Sequence, residues 1–179
     1  RLLTTLAEKK EILLGLGVNK VEVLQFTKEF STMTTEDYLR MLMSEYGATT
    51  ILIGYDNRMG FDAKNADEVA RTAETLGLEV VRTDVVSSER GYAVSSTKIR
   101  QCLEEGNVQE AAVMLGYDYS LEGVVVAGNR IGRTIGFPTA NMQLYEPLKL
   151  VPGNGVYSVK VNVLGRSLYG MCNIGCRPT

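Results

Sequence analysis

The sequence predicts an open α/β domain followed by an antiparallel β domain, and three observations lead to this fold class. Apolar residues with a helical period alternate with short β-branched runs up to about residue 116. Beyond Tyr117 the helical period disappears, and apolar residues alternate with polar ones instead. The length of 179 residues suits one domain or two small ones. We therefore expect one domain over residues 1–117 and a second over residues 118–179.

Helices and strands are expected in alternation over residues 6–82. Thr34 followed by Asp37 resembles a capping box, and Gly47 marks the end of the helix that it opens. The continuous apolar run at 49–53 is typical of a buried parallel strand, and strand–helix–strand repetition is typical of a parallel sheet covered by helices. The expected elements are helices at 6–16, 34–46 and 67–76, and strands at 21–24, 49–53 and 78–82.

Two short helices precede the change of pattern. Ile99 and Leu103 share one face of the first helix, which Gly106 ends. Asn107 starts the second helix, and Gly116 ends it. In the second domain we expect strands at 121–127, 156–163 and 168–174, with a turn at 164–166 joining the last two.

Composition narrows the class of partner and the compartment. The formal net charge is −2 and no basic run is present, which disfavours nucleic acid and anionic membrane as partners. No apolar stretch approaches the roughly 20 residues of a membrane span. Cys172 and Cys176 would lie about 13 Å apart in an extended strand, too far for a disulfide. Because the chain has three cysteines and no histidine, a four-ligand zinc site is disfavoured, and reduced cytoplasmic thiols are expected.

The segment 132–141 places glycines ahead of a rigid proline and two small oxygen-bearing side chains. Glycine lets the backbone approach a ligand closely, and Pro138 fixes the chain where the polar pair begins. Thr139 and Asn141 would face the same side of an extended segment. Hydroxyl and amide oxygens are hard ligands that Mg²⁺ accepts beside water and phosphate. The competing interpretation is an ordinary Gly/Pro loop between strands, which is the commoner case for an arbitrary sequence.

The segment 95–100 lies at a strand-to-helix junction. Free N–H groups and the positive end of the helix dipole favour an anion there. Two serines, a threonine, Lys98 and Arg100 add donors that suit phosphate oxygens. The alternative is an ordinary serine N-cap followed by solvated charges.

Two further segments carry polar residues at the ends of expected strands. Residues 54–60 directly follow the strand at 49–53, and open α/β sheets bind ligands at the carboxyl ends of their strands. A plain strand-to-helix loop with a solvated Asp56 is the alternative. Residues 173–179 end the chain, and without further context they are a strand that leaves into a turn at Pro178.

These segments resemble, in order, the motifs of bacterial bifunctional riboflavin kinases/FMN adenylyltransferases. Residues 95–100 resemble the Ser-Ser-Thr-x-Ile-Arg motif of the adenylyltransferase module, and residues 132–141 resemble the ATP- and magnesium-binding signature of the kinase. Residues 173–179 resemble the kinase stretch Asn-Ile-Gly-x-Arg-Pro-Thr. Residues 54–60 resemble the flavin-lining Gly-x-Asp-Phe-x-Phe-Gly segment, although Asn57 and Met59 stand where aromatic residues are common.

The resemblance implies a fold and a function. The fold is an incomplete Rossmann-like nucleotidyltransferase domain followed by an incomplete antiparallel β-barrel kinase domain. The function is phosphorylation of riboflavin to FMN and adenylation of FMN to FAD, with ATP as co-substrate and Mg²⁺ as cofactor. The implied ATP-phosphate contacts are Ser95, Ser96, Thr97, Arg100, Gly132, Gly136 and Pro138. The implied flavin contacts are Asp56, Asn57 and Arg177, and the implied metal ligands are Thr139 and Asn141.

The family's catalytic groups are expected outside this sequence. Its histidine motif, Gly-x-Phe-Asp-Gly-x-His-x-Gly-His, is absent from a chain without histidine, and the glutamate base of the kinase would follow the Arg-Pro-Thr stretch. Arg1 in place of Met also leads us to expect a piece of a longer protein, with weak or no catalysis by these residues alone. Two alternatives stay open: a riboflavin kinase with a degenerate nucleotide-binding module, and a non-catalytic flavin- or nucleotide-binding regulator. The sequence does not indicate an oligomeric state.

Overall fold

Helix and strand boundaries in the computed structural model follow the local capping signals of the sequence. The structure describes residues 1–85, 94–128, 131–134 and 136–175. The helices are α1 (Leu6–Gly15), α2 (Lys28–Ser31), α3 (Thr35–Tyr46), α4 (Ala66–Thr75), α5 (Ser96–Glu104), α6 (Val108–Leu115) and α7 (Ile131–Thr134). The strands are β1 (Thr50–Gly54), β2 (Arg58–Met59), β3 (Lys64–Asn65), β4 (Glu79–Thr83), β5 (Gly123–Val126), β6 (Asn141–Leu144), β7 (Gly155–Val163) and β8 (Arg166–Ile174).

The chain folds as two compact units. One unit contains residues 1–21 together with 94–179, and the other contains residues 22–93. This division follows spatial proximity, whereas the boundary after residue 117 follows the change of sequence pattern. That boundary stays a prediction.

In the unit of residues 22–93, a parallel strand pair packs against helices. β1 pairs in parallel with β4, with Leu52 opposite Val81. Ile53, on β1, packs with Val69 and Ala70 of α4 in one buried cluster. Leu39 of α3 joins α4 through a second cluster. The parallel pairing was predicted correctly.

Two expectations for the strands in residues 21–53 were wrong. β1 is not buried on both faces, because Leu52 is 66% exposed whereas Ile53 is 1% exposed. The strand expected at 21–24 is absent, and this segment has no regular structure. A short apolar run becomes a strand only when a neighbouring strand pairs with it, and periodicity alone does not reveal that partner.

In the other unit, α5 and α6 enclose a core that also receives Leu150. Ile99, Leu103, Ala111 and Met114 are the helical members of this cluster. The main-chain N–H of Gly153 donates to the Leu103 carbonyl at 2.8 Å, so the chain that leads into β7 is held against the end of α5.

The second half of this unit is antiparallel, as predicted. β5 pairs with β6, and β7 pairs with β8 through a two-residue turn. The turn residues Leu164 and Gly165 have φ of 50° and 72°, the left-handed values of a primed hairpin turn. Within the described residues these are separate two-stranded sheets, and a closed barrel stays a prediction.

Replacing Leu103 with Ala is expected to lower the free energy of unfolding by about 2–5 kcal/mol, because its side chain is 0% exposed and would leave a cavity. Leu16→Ala is the matched control: Leu16 is 79% exposed, and the change should stay within about 0.5 kcal/mol. Urea unfolding followed by circular dichroism measures both. Equal losses in the two variants would contradict this description of the core.

Candidate functional site

Helix α5 begins at the hydroxyl-rich segment that the sequence marked as a phosphate contact. Ser95 is the N-cap, and its hydroxyl accepts a hydrogen bond from the Lys98 N–H at 3.2 Å. Ser96 and Thr97 are exposed in the first turn, whereas Ile99 is 5% exposed and fixes the helix to the core. Three hydroxyls therefore lie at the solvent-facing start of an anchored helix, where an anion is favoured. Ser95 caps the helix as an acceptor, and its O–H remains available as a donor.

Arg100 lies one turn further along α5 and is tied to the start of the chain. Its Nε donates to the Arg1 carbonyl oxygen at 3.1 Å. That bond uses one of the five N–H groups of the guanidinium, and the four on the terminal nitrogens are not consumed by it. Arg100 can therefore present a planar pair of donors to a phosphate.

Residues 136–140 lead into β6, and this stretch folds back against Gly132 of α7. The Phe137 N–H donates to the Gly132 carbonyl at 2.8 Å, and Gly136 has a φ of 82°. A Cβ placed on Gly132 would lie 3.1 Å from the Thr139 hydroxyl oxygen and would also strike the Phe137 carbonyl. The structure thus brings Gly132 and Thr139 together, and only glycine fits at this approach.

Asn141 is the first residue of β6, opposite Val126. Its amide group lies against Gly128, where an added Cβ would be 2.9 Å from the amide carbon. Pro138, Thr139 and Asn141 are all exposed.

The oxygens of Thr139 and Asn141 suit Mg²⁺ in their chemistry. Both carry neutral hard oxygen atoms in exposed positions, and each packs closely against a glycine. Mg²⁺ commonly keeps several waters and takes few protein ligands when phosphates supply the others. Among the described residues there is no group of three or more Asp, Glu, Cys or His side chains that could hold a metal by itself. A metal here would therefore depend on a phosphate-bearing partner.

A cleft of about 250 Å³ opens at the carboxyl ends of β1 and β4. Its lining residues are Ile53, Gly54, Tyr55, Asn65, Ala66, Asp67, Arg82, Thr83 and Asp84. Arg82 and Asp67 form an ion pair at 2.6 Å, and this bond to Arg82 lowers the pKa of the Asp67 carboxyl. Motif analysis missed Arg82, although its place at a strand end of a parallel sheet was a usable signal.

The predicted flavin residues Asp56 and Asn57 lie on the loop beside this cleft. Asp56 is exposed, and its carboxylate folds back toward Gly54, 3.6 Å from where a Cβ would stand. Oδ1 of Asn57 is shielded from solvent, and no described residue donates to it. Arg177, the third predicted flavin contact, and Cys176 lie outside the described residues.

Thr35 holds the far end of the same loop in place. Its hydroxyl donates to the Met59 carbonyl and contacts Asp62 Oδ1, both at 2.8 Å. Its main-chain N–H also donates to Asp62 Oδ1 at 2.8 Å. Gly60 has a φ of 74°, and a Cβ there would lie 2.6 Å from the Thr35 hydroxyl oxygen. Motif analysis missed Thr35 and Asp62, which are 27 positions apart and carry no local signal.

A helix start that favours anions and a strand-end cleft in a parallel sheet are each typical of the ligand-binding α/β proteins. Residues 1–98 match the family model described as FAD synthetase, and residues 115–179 match the model described as riboflavin kinase. The chain belongs to the FAD synthetase family, with a riboflavin kinase part following in the order that the motifs indicated.

Similar proteins carry the names of both activities. The chain is 34% identical to the bifunctional riboflavin kinase/FMN adenylyltransferase of Listeria monocytogenes, over 97% of this chain and 54% of that protein. It is 36% identical to the protein of the same name from Escherichia coli K12, over 99% of this chain and 56% of the relative. The chain thus spans about half the length of the curated relatives it matches.

A solved structure shares the fold. The crystal structure titled macrolide-efflux protein from Streptococcus pneumoniae matches with a TM-score of 0.89 at 33% identity, over 99% of this chain and 57% of that chain. In the described part of this chain, no helix combines the length and the apolar character needed to cross a membrane.

Replacing Thr35 with Val is expected to raise the pKa of Asp62 toward its ordinary value, because the Thr35 hydroxyl is the largest cause of the lowering and is lost, whereas the main-chain N–H bond is kept. A lowered folded-state pKa contributes stability at neutral pH that is lost as the pH falls through that pKa. The acid-dependent part of the unfolding free energy should therefore shrink in the variant. Carboxyl ¹³C NMR titration measures the pKa, and Asp67, held by Arg82, is the internal control. An unchanged Asp62 titration would contradict the anchoring role of Thr35.

Proposed function

We propose that the full-length protein is a bifunctional enzyme that makes FMN from riboflavin and then FAD from FMN. The observation that carries the proposal is the presence of both family matches on one chain, each overlapping one segment that resembles a phosphate-binding motif. Residues 95–98 lie at the end of the FAD synthetase match, and residues 132–141 lie inside the riboflavin kinase match.

In the first reaction, the 5′-hydroxyl of riboflavin attacks the γ-phosphorus of ATP, giving FMN and ADP. Gly132, Gly136 and Pro138 shape a loop whose backbone can lie close to the triphosphate. Thr139 and Asn141 would hold Mg²⁺, which neutralises phosphate charge when it is bound. Positioning and charge neutralisation account for most of the catalysis in phosphoryl transfer, so glycines and neutral oxygen ligands are suited to this role.

In the second reaction, the FMN phosphate attacks the α-phosphorus of ATP, giving FAD and pyrophosphate. The hydroxyls of Ser95, Ser96 and Thr97 and the guanidinium of Arg100 would hold the ATP phosphates at the start of α5. Asp56 and Asn57 would contact the flavin, with Arg177 as a further contact. The strand-end cleft supports this assignment, since it lies next to the loop that carries the first two.

We also propose the fold of each domain, the partners and the cellular location. We take residues 1–117 as belonging to a Rossmann-like domain and residues 118–179 as belonging to a β-barrel domain. Riboflavin, FMN and ATP are the proposed partners, and nucleic acid and membrane are not. The free thiols of Cys102 and Cys172 support a reducing, cytoplasmic location.

Incubation of the full-length protein with riboflavin, ATP and Mg²⁺, followed by chromatography, tests the proposal. FMN should form first and FAD should follow. Formation of FMN without FAD would indicate a riboflavin kinase with a degenerate nucleotide-binding module. Binding of FMN and ATP without formation of any product would indicate a non-catalytic regulator.

Asn141→Ala in the full-length protein is expected to lower kcat/KM for FMN formation on the order of 100-fold, because one fixed oxygen ligand of the phosphate–metal site is lost. Conversion of supplied FMN to FAD should change by less than about twofold, since it uses the other segment. Asn162→Ala, on the exposed part of β7, is the control for amide removal. Loss of both activities together would contradict this division of labour.

A further inference from the structure

The first residues of the chain are bound to a segment inside the riboflavin kinase match. The Leu2 N–H donates to the Leu148 carbonyl, and the Leu150 N–H donates to the Leu2 carbonyl, each at 2.8 Å. This is a one-residue parallel bridge between Leu2 and Lys149. Leu150 is 0% exposed in the core with α5 and α6, so the bridge is anchored to the phosphate-contact helix.

Lys149 closes this junction from within. It is 4% exposed, and its Nζ donates to the Leu3 carbonyl at 2.9 Å and to Glu8 Oε2 at 2.5 Å. The same Glu8 oxygen accepts the Thr5 N–H at 2.6 Å, as part of the capping box of α1. The ammonium also lies 4.6 Å from the centre of the Tyr119 ring. One buried cation therefore fixes both residue 3 and the start of α1.

The first residue of this junction contacts Arg100, a residue of the proposed phosphate site. Arg1 immediately precedes Leu2, and its carbonyl accepts the Nε–H of Arg100 at 3.1 Å. The Arg1 carbonyl is held in place because the next residue, Leu2, is fixed by the bridge. It therefore gives the Arg100 guanidinium a fixed partner and limits rotation of that side chain. Less side-chain freedom is then lost when the terminal nitrogens bind a phosphate.

We propose that Lys149 is a positioning residue for Arg100, and so for ATP in the formation of FAD. It acts through residues 1–3: the ammonium holds the Leu3 carbonyl, the bridge holds Leu2, and the Arg1 carbonyl orients Arg100. This inference rests on the proposed function. It gives a lysine of the kinase part a role in the adenylyltransferase reaction and leaves riboflavin phosphorylation unaffected.

The test measures KM for ATP and kcat separately in both reactions of the full-length protein. Lys149→Met alone would leave Glu8 buried without its cation, so the neutral double variant Glu8→Gln/Lys149→Met is compared with it. In the double variant, KM for ATP in FAD formation should rise about tenfold, while both parameters of FMN formation stay within about twofold. Lys149→Arg keeps a charged donor and should restore most of the lost affinity. Lys160→Met, on exposed β7, is the control for loss of a lysine.

Combining the double variant with a substitution at Arg100 distinguishes positioning of Arg100 from a general loss of stability. Arg100→Lys removes the Nε bond, and its effect on KM for ATP should not multiply with that of the double variant, because both act through one guanidinium. Multiplicative effects, an unchanged KM in the double variant, or failure of the double variant to fold would each overturn the inference. A parent protein that makes no FAD from FMN and ATP would overturn the proposed function and this inference with it. A parent that makes FAD while the double variant keeps its KM would overturn the inference alone.

Discussion

The buried ion pair between Glu8 and Lys149 is the interaction on which the larger unit depends. Its partners are 7% and 4% exposed, and they are 141 positions apart in the chain. Removing one partner of such a pair typically costs about 3–5 kcal/mol, because the other charge is left buried and uncompensated. Burial, together with the nearby Glu8 carboxylate, raises the pKa of Tyr119, whose hydroxyl stays protonated and donates to the Leu150 carbonyl at 2.7 Å. The ion pair therefore lies between the polar contacts at the start of α1 and the apolar core around Leu150.

The smaller unit uses a buried threonine for a comparable purpose. Thr35 is 0% exposed, and its hydroxyl and main-chain N–H contact Met59 and Asp62 in the segment that follows β1. A helix N-terminus thus holds the far end of a candidate ligand loop, and the loop's near end is continuous with a strand. In both units a buried polar side chain fixes backbone next to a proposed contact residue, and the contact residues themselves stay exposed.

Local features were predictable from the sequence, and distant ones were not. The caps at Thr34 and Gly47 and the helix start at Ser95 depend on neighbouring residues, so their boundaries were predicted within about one residue. The segments proposed to contact phosphate could be selected because their residue types lie in short strings, and the contacts themselves stay predictions. The strand expected at 21–24 failed because pairing requires a partner elsewhere in the chain. The contact of Glu8 with Lys149 spans 141 positions and has no signature in either neighbourhood.

That separation has a consequence for the order in which the chain acquires its structure. Residues 22–93 are contiguous and contain both partners of their parallel strand pair, so this unit can fold as soon as it has been synthesised. Residues 1–21 complete their unit only with residues that follow position 93. Until Lys149 is synthesised, the Glu8 carboxylate has no buried cation to pair with. Helix α1 therefore stays exposed to water while residues 22–93 fold.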